Sequence, residues 1–405
     1  MPDERAPPAI GPALTTLFAV GCGLIVANLY YAQPLIGLIG PELGLPAETI
    51  SLVVTLTQIG YGLGLLLLVP LGDRLENRRL ITSLIGLSAL SLAAIALAPS
   101  SAVFFAATAA LGVCCVAAQI LVPFAAALEP EASRGRVVGN VMSGLLGGIL
   151  LARPVASMTA HLFGWRAIYA ASAALMIVLA LVLQRALPLR RPSSTMRYPQ
   201  LLRSLWQLLR DTPLLRRRAA YHAAMFAAFS LFWSAVALLL ASPAFGYTQS
   251  GIAAFALAGA AGALAAPLAG RLADRGLTRP ATGAAMSFAA LAFVIAAIGA
   301  ARQSAALLLV AALLLDVGVS LNLVLGQRSL YALGDAIRSR LNALYMSIFF
   351  AGGALGSALA GWAWARHGWN GVCAVGLAFA VAALLYFATE FGGRRATAGR
   401  SDRGV

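Results

Sequence analysis

Long apolar runs separated by short, arginine-bearing polar turns set the rhythm of this chain. A helix needs roughly 20 apolar residues to cross a bilayer. About twelve such runs begin near Ala13, Ala47, Leu80, Ala102, Val137, Ala167, Ala219, Ser250, Ala281, Ala305, Leu341 and Gly371. The pattern predicts an all-α integral membrane protein, and the short alternating segments of a β-barrel are absent. The first run is framed by Asn28, Tyr30 and Tyr31 and has no upstream basic cluster, so it reads as a span and not as a cleaved signal.

The pattern is also written twice. Shifted by 204 positions without a gap, Glu131–Trp165 overlies Asp335–Trp369. Arg134 and Arg136 fall on Arg338 and Arg340, Met142-Ser143 on Met346-Ser347, Gly148 on Gly352, and Gly164-Trp165 on Gly368-Trp369. Each copy is a charged loop feeding a helix rich in small residues that ends at Gly-Trp. Internal duplication of this kind predicts two parallel halves related by pseudo-symmetry. We place a six-helix bundle at 1–187, a cytoplasmic linker at 188–216 and a second six-helix bundle at 217–405. At one position the copies differ in kind, since Arg153 has Ser357 opposite it.

Composition agrees with the periodicity. With 60% hydrophobic and 11% charged residues and a mean hydropathy of +0.86, the chain lacks the polar surface of a soluble domain of its size. All 29 basic residues are arginine. The loops after spans 2, 4, 6, 8 and 10 carry 3, 2, 9, 3 and 3 of them, and the loops after odd-numbered spans carry none or one. By the positive-inside rule both termini are expected in the cytoplasm, where the net charge of +15 meets anionic lipid. No basic stripe is interleaved with stacking aromatics, which argues against nucleic-acid binding. The amphipathic stretch YPQLLRSLWQLLRDTP in the linker is expected to lie on the inner membrane surface.

Charges inside apolar spans are costly, by at least about 2.5 kcal/mol at the bilayer centre, and mark function by default. Of the 14 acids only Asp316 lies well inside a span, and of the arginines only Arg153 clearly does so. A carboxyl can carry a proton, whereas arginine in practice keeps its own. Asp316 is therefore the candidate for proton coupling, and Arg153 the candidate for holding an anionic or polar substrate group or for tuning Asp316 by proximity. A structural ion pair tying the halves together is the competing reading. Asn28, Gln33, Gln58, Tyr61, Gln119, Asn322 and Gln327 are further candidates for a central cavity, with hydrogen bonding between helices as the alternative. Phe226, Phe229, Phe232 and Trp233 recur at helical spacing and read as packing before they read as a substrate wall. The cysteines Cys22, Cys114, Cys115 and Cys373 lie in apolar runs without metal spacing. Likewise His161, His222 and His367 are far apart in sequence and suggest neither a metal nor a catalytic site.

The turns PLGDRLENRRL (70–80) and AGRLADRGLTRP (269–280) occupy matching places in the two halves. An Asp-Arg pair in so short a turn can bond exposed helix ends and bridge neighbouring helices. With the glycine-rich fifth span ending in GWR, these turns resemble those of the major facilitator superfamily, and the resemblance extends over all twelve spans. It is greatest to bacterial efflux-type members, the drug or sugar proton antiporters, including a subgroup with NLYYAQP in span 1. The resemblance implies alternating access around a midplane cavity, usually proton-coupled, in a monomer of the bacterial cytoplasmic membrane, with the proton gradient and no cofactor as energy source. It also implies gating turns formed by Asp73, Arg74 and Arg78, with Glu129 as partner of Arg78, and by Asp274 and Arg275. Val69 and Glu76 stand where the family has glycines, and GGILLARP replaces the Gly-Pro-Gly run of antiporters.

The expected function is thus efflux of a drug-like, sugar or metabolite substrate. A facilitator, or a proton symporter for a small polar or anionic metabolite, is the alternative. A membrane-embedded enzyme would need clustered acids, a nucleophile-base pair or a zinc motif, and the chain carries none of these.

Overall fold

The computed structural model describes residues 11–190, 192, 197–259 and 265–401. Most of the proline-rich tail, linker residues 191 and 193–196, and residues 260–264 of the eighth predicted span lie outside the described residues. So do the side chains of Glu131 and Asp335, which open the two repeats.

The described residues are helical throughout, without strands. Lipid offers the backbone no hydrogen-bond partners, so an apolar chain crossing it must satisfy its peptide groups within each helix. In the first half α1 (Pro12–Ala27) and α2 (Ala32–Glu42) form span 1, and α3 (Leu52–Leu67) with the 3-10 turn Val69–Asp73 forms span 2. Then come α4 (Asn77–Ala96), α5 (Ser101–Cys114) with α6 (Ala117–Ala127), α7 (Glu131–Phe163) and α8 (Trp165–Ala186). The surface helix α9 (Tyr198–Asp211) leads to α10 (Pro213–Ala241), to α11 (Gln249–Gly259) and α12 (Ala265–Asp274) of span 8, to α13 (Thr278–Ala301), α14 (Ala305–Tyr331) and α15 (Asp335–Ser401). Ten helical stretches among the described residues are long and apolar enough to cross a membrane. The last, Ile337–Glu390, has 54 residues and is far too long for one crossing at about 1.5 Å per residue. It holds spans 11 and 12, joined at Gly368.

The repeated Gly-Trp has a clear structural job. Gly164 (φ 82°) and Gly368 (φ 58°) both occupy left-handed backbone that a side chain would strain, so each repeat turns its corner there. The tryptophan that follows anchors the corner: Trp165 Nε1 donates to Glu42, and Trp369 Nε1 donates to the Ala296 carbonyl at 3.0 Å.

Small residues also set the helix crossings. A Cβ on Gly148 would run into the backbone of Gly23 on α1, and a Cβ on Gly352, 204 positions later, would run into Ala223 on α10. The same close approach is therefore built in both halves. Within the first half α1 packs on α7, α3 on α5 and α4 on α8; within the second, α10 packs on α15 and α13 on α14. The halves meet where α3 packs on α15 and α7 on α11. Large apolar side chains such as Leu90, Ile177, Leu181 and Leu385 point outwards, a surface that suits hydrocarbon and not water.

Helix α9 is amphipathic as its sequence predicts. Leu205 is buried in a cluster with Leu215 of α10 and with Leu330 and Leu341 of the second half, Leu201 is buried as well, and Trp206 is exposed. Tyr198 donates to the Leu67 carbonyl of the first half at 2.8 Å.

Candidate functional site

Span 1 breaks between α1 and α2, at residues 28–31, and the break is made by its own side chains. Asn28 Nδ2 donates to the carbonyls of Leu24 and Ile25 at 3.0 and 3.1 Å, taking over acceptors at the end of α1. Pro34 falls in the first turn of α2, where its missing N–H costs nothing. This break turns Tyr30 and Gln33 towards Arg153 on α7.

Arg153 is 6% exposed, and its Nε donates to Gln33 Oε1 at 2.7 Å. Three aromatic faces surround its guanidinium: Tyr30 and Phe229 at 5.2 Å and Trp233 at 4.5 Å from the ring centroids. A desolvated cation over an aromatic face gains about 2 kcal/mol. Trp233 then uses its other polarity, donating from Nε1 to Asp316 Oδ1 on α14 at 2.9 Å. Trp233 thus contacts both intramembrane charges, Arg153 with its ring face and Asp316 with its N–H. The chain from Gln33 to Asp316 crosses from the first half to the second. Beside Arg153 runs a narrow apolar crevice lined by Pro34, Trp233, Val236, Leu240, Ile252 and Phe255.

A second crossing lies one layer away. Gln58 Nε2 on α3 donates to Ser230 Oγ on α10 at 2.7 Å, beside Phe226, which stacks on Phe349 with centroids 3.6 Å apart. Gln119 donates to Tyr61 at 3.1 Å, and Tyr61 packs on Phe350. Asn28, Gln33, Gln58, Tyr61, Arg153, Asp316 and Asn322 are all buried, so the expected cavity is closed in this state.

The remaining candidates make hydrogen bonds between helices away from this group. Asn28 belongs to the interior of the first half, where its Oδ1 accepts from Ser172 at 2.6 Å; it ties helices together and does not face the central group. Asn322 lies within 3.2 Å of His222 Nδ1, and Gln327 donates to Asn342 at 3.1 Å. Both are held inside the second half. His222, one of three histidines far apart in sequence, is fully buried against Tyr345 and Phe349. The aromatic stripe divides: Phe229 and Trp233 face Arg153, whereas Phe232 packs on Phe293 and Trp369.

At the arginine-rich face the turns differ from their expected form. Arg78 donates to the Leu187 carbonyl at 3.3 Å instead of meeting Glu129, which accepts from Ser133. Glu76, the departure from the family glycine, caps α4 by accepting from the backbone N–H of Arg78 and Arg79, both at 2.9 Å. Although burial works the other way, these backbone bonds hold the Glu76 carboxyl below the usual carboxylate range. Asp73 borders a crevice with Leu201, Leu205 and Arg340 of the second half, and the charges of Arg190 and Arg340 act on it. Asp274 pairs with Arg328 at 2.6 Å inside its own half. Arg74 and Arg275 are exposed.

At the opposite face the halves are stitched directly. Ser51 Oγ accepts from the Gly361 N–H at 3.1 Å and donates to the Ala358 carbonyl at 3.4 Å. The hydroxyls of Thr55 and Ser357 are 2.9 Å apart, and Arg366 reaches Glu48 at 3.3 Å.

A repeated set of apolar helices, with a buried arginine and a buried aspartate near where the repeats meet, fits a secondary transporter. The sequence matches the Major Facilitator Superfamily over residues 17–327, and the chain belongs to that family. It is 42% identical over 376 residues to the uncharacterized transporter YgaY of Escherichia coli O157:H7, covering 93% of this chain and 95% of that protein. It is 33% identical over 385 residues to the probable transporter SCO4007 of Streptomyces coelicolor, covering 93% and 89%. Among solved structures, a point mutant of the nucleoside transporter NupG has the same fold, with a TM-score of 0.75 over 93% of this chain and 100% of that one at 14% identity. The protein is a multi-pass membrane transporter and not an enzyme.

Proposed function

We propose that this transporter is proton-coupled, with Asp316 as the proton site and Arg153, Gln33 and Trp233 as the core of the substrate site. The observation that carries the reading is the Trp233 bridge, which gives the one titratable acid buried well inside a described span a direct link to the one buried cation at the interface of the halves. Whatever neutralises Arg153 changes the field at Asp316, and protonating Asp316 changes the field at Arg153, so substrate and proton are energetically linked. A bare facilitator has no use for such a link. Export by exchange, which the resemblance to efflux-type members implies, requires proton and substrate to exclude one another at this site. Joint transport requires them to favour one another, and the charge of the substrate decides between the two.

The test is transport by the purified protein in proteoliposomes with a lumenal pH dye, screened against a compound panel. Wild-type protein should move protons on addition of its substrate, and Asp316→Asn should abolish this while substrate binding survives. Substrate-dependent proton movement at wild-type rates in Asp316→Asn refutes the reading.

A further inference from the structure

We propose that the central site takes an organic monoanion with a planar, carboxylate-like head and an apolar body, and that this anion binds together with one proton. The assignment rests on the transport reading above and adds the substrate class.

Its first support is an imbalance of donors. Arg153 Nη2 and Gln33 Nε2 are both buried without a hydrogen-bond partner among the described residues, although the two side chains already bond each other through Nε and Oε1. Buried polar groups are normally paired, and here two N–H donors on adjoining side chains lack acceptors. A ligand completing this site must bring acceptor oxygens. A planar two-oxygen head matches the guanidinium fork, and a cation or a hydrogen-bond donor leaves both groups unanswered.

The second support is the surroundings. The crevice into which Arg153 opens is lined by proline, tryptophan, valine, leucine, isoleucine and phenylalanine side chains from α2, α10 and α11, so the remainder of the ligand is apolar. The third is charge. Among the described residues the charged group acting on Asp316 is Arg153, and Tyr30 is the further titratable side chain facing the guanidinium. With Asp316 ionised, the empty site holds one positive and one negative charge. A monoanion then leaves the buried centre with a net negative charge, which low-dielectric surroundings disfavour. A proton on Asp316 restores neutrality. Anion and proton therefore favour one another, and their joint movement carries no net charge; a dianion exceeds what one arginine can balance.

The experiment uses the full-length protein in detergent and in proteoliposomes. The probes are benzoate and hexanoate with the sulfonate, amine and alcohol counterparts of the same bodies, followed by titration calorimetry in buffers of different ionisation enthalpy. The carboxylates should bind most tightly, with about one proton taken up per anion. Arg153→Lys, which keeps the charge and loses the fork, should bind at least tenfold more weakly, and Asp316→Asn should bind without proton uptake. Because the matched series is measured on the wild-type protein, the result does not depend on any variant folding. Tighter binding of the amines or alcohols, binding by none of the probes, or anion binding without proton uptake in the wild type overturns the assignment. Amine or alcohol binding together with loss of proton movement in Asp316→Asn would sink the substrate class alone, whereas retained proton movement in Asp316→Asn would sink the coupling reading beneath it.

Discussion

Removing the hydroxyls of Ser51 and Thr55 together should loosen the seam that closes the arginine-poor face. In Ser51→Ala the two bonds to Gly361 and Ala358 of α15 disappear. In Thr55→Val the shape is kept and the contact with Ser357 is lost. The cost is modest because few groups are orphaned: Ser357 also reaches the Ala354 carbonyl of its own helix at 3.0 Å, and Gly361 lies within helical backbone. Net contributions of about 0.5–1.5 kcal/mol per hydrogen bond, discounted for these fallback partners, give about 1–2 kcal/mol for the pair. That corresponds to about a 5- to 30-fold shift towards the state open at this face. Spin labels on Ala47→Cys and Ala365→Cys, exposed positions beside the seam, report the distance between the halves by pulsed electron resonance. The double variant should raise the long-distance population by that factor. A distribution within twofold of the parent would show that these bonds do not hold the face shut.

Two further outcomes test the packing and the first turn. Gly148→Val should cost at least about 3 kcal/mol, at the upper end for overpacking, because the new side chain meets the backbone of Gly23, whereas Gly147→Val has nothing within 4 Å of its Cβ; equal melting temperatures for the two variants in detergent would refute the crossing. Glu76→Ala should cost about 1 kcal/mol at neutral pH by removing the α4 cap. Since the folded-state pKa of Glu76 is depressed, its stabilisation is present above the unfolded value of about 4.3 and is lost as pH falls through the folded value. The stability gap between wild type and variant should narrow there, and a gap unchanged down to pH 3 would contradict the capping role.

The all-helical, membrane-crossing character was legible in the sequence because lipid leaves an apolar chain so few conformations, and the duplication because its glycines and Gly-Trp corners recur in register. Arg153 and Asp316 stood out for a related reason, since a charge inside an apolar run is costly and needs a partner or a function. Their partners were not. Periodicity tells which residues share a face of one helix but not which way that face turns, so Trp233 and Phe229 looked like packing and Asn28 stayed open between cavity and helix contact. A cation deep in a span without a neighbouring acid was itself a hint that aromatic faces would be near. The Glu76 substitution was visible as a departure from the family pattern, but its capping role depends on backbone geometry that no spacing announces. His222 carried no signal at all, because its burial comes from side chains on α15 more than a hundred residues away.

Positions 153 and 357 are the same position in the two repeats, and each reaches into the opposite bundle: Arg153 meets Trp233 on α10, and Ser357 meets Thr55 on α3. In an ancestral pair of identical half-sized subunits, symmetry would have placed two arginines or two serines at these sites. Two arginines would bury like charges around one centre, and two serines would leave no cation there. A single central charge therefore requires halves whose sequences are free to differ.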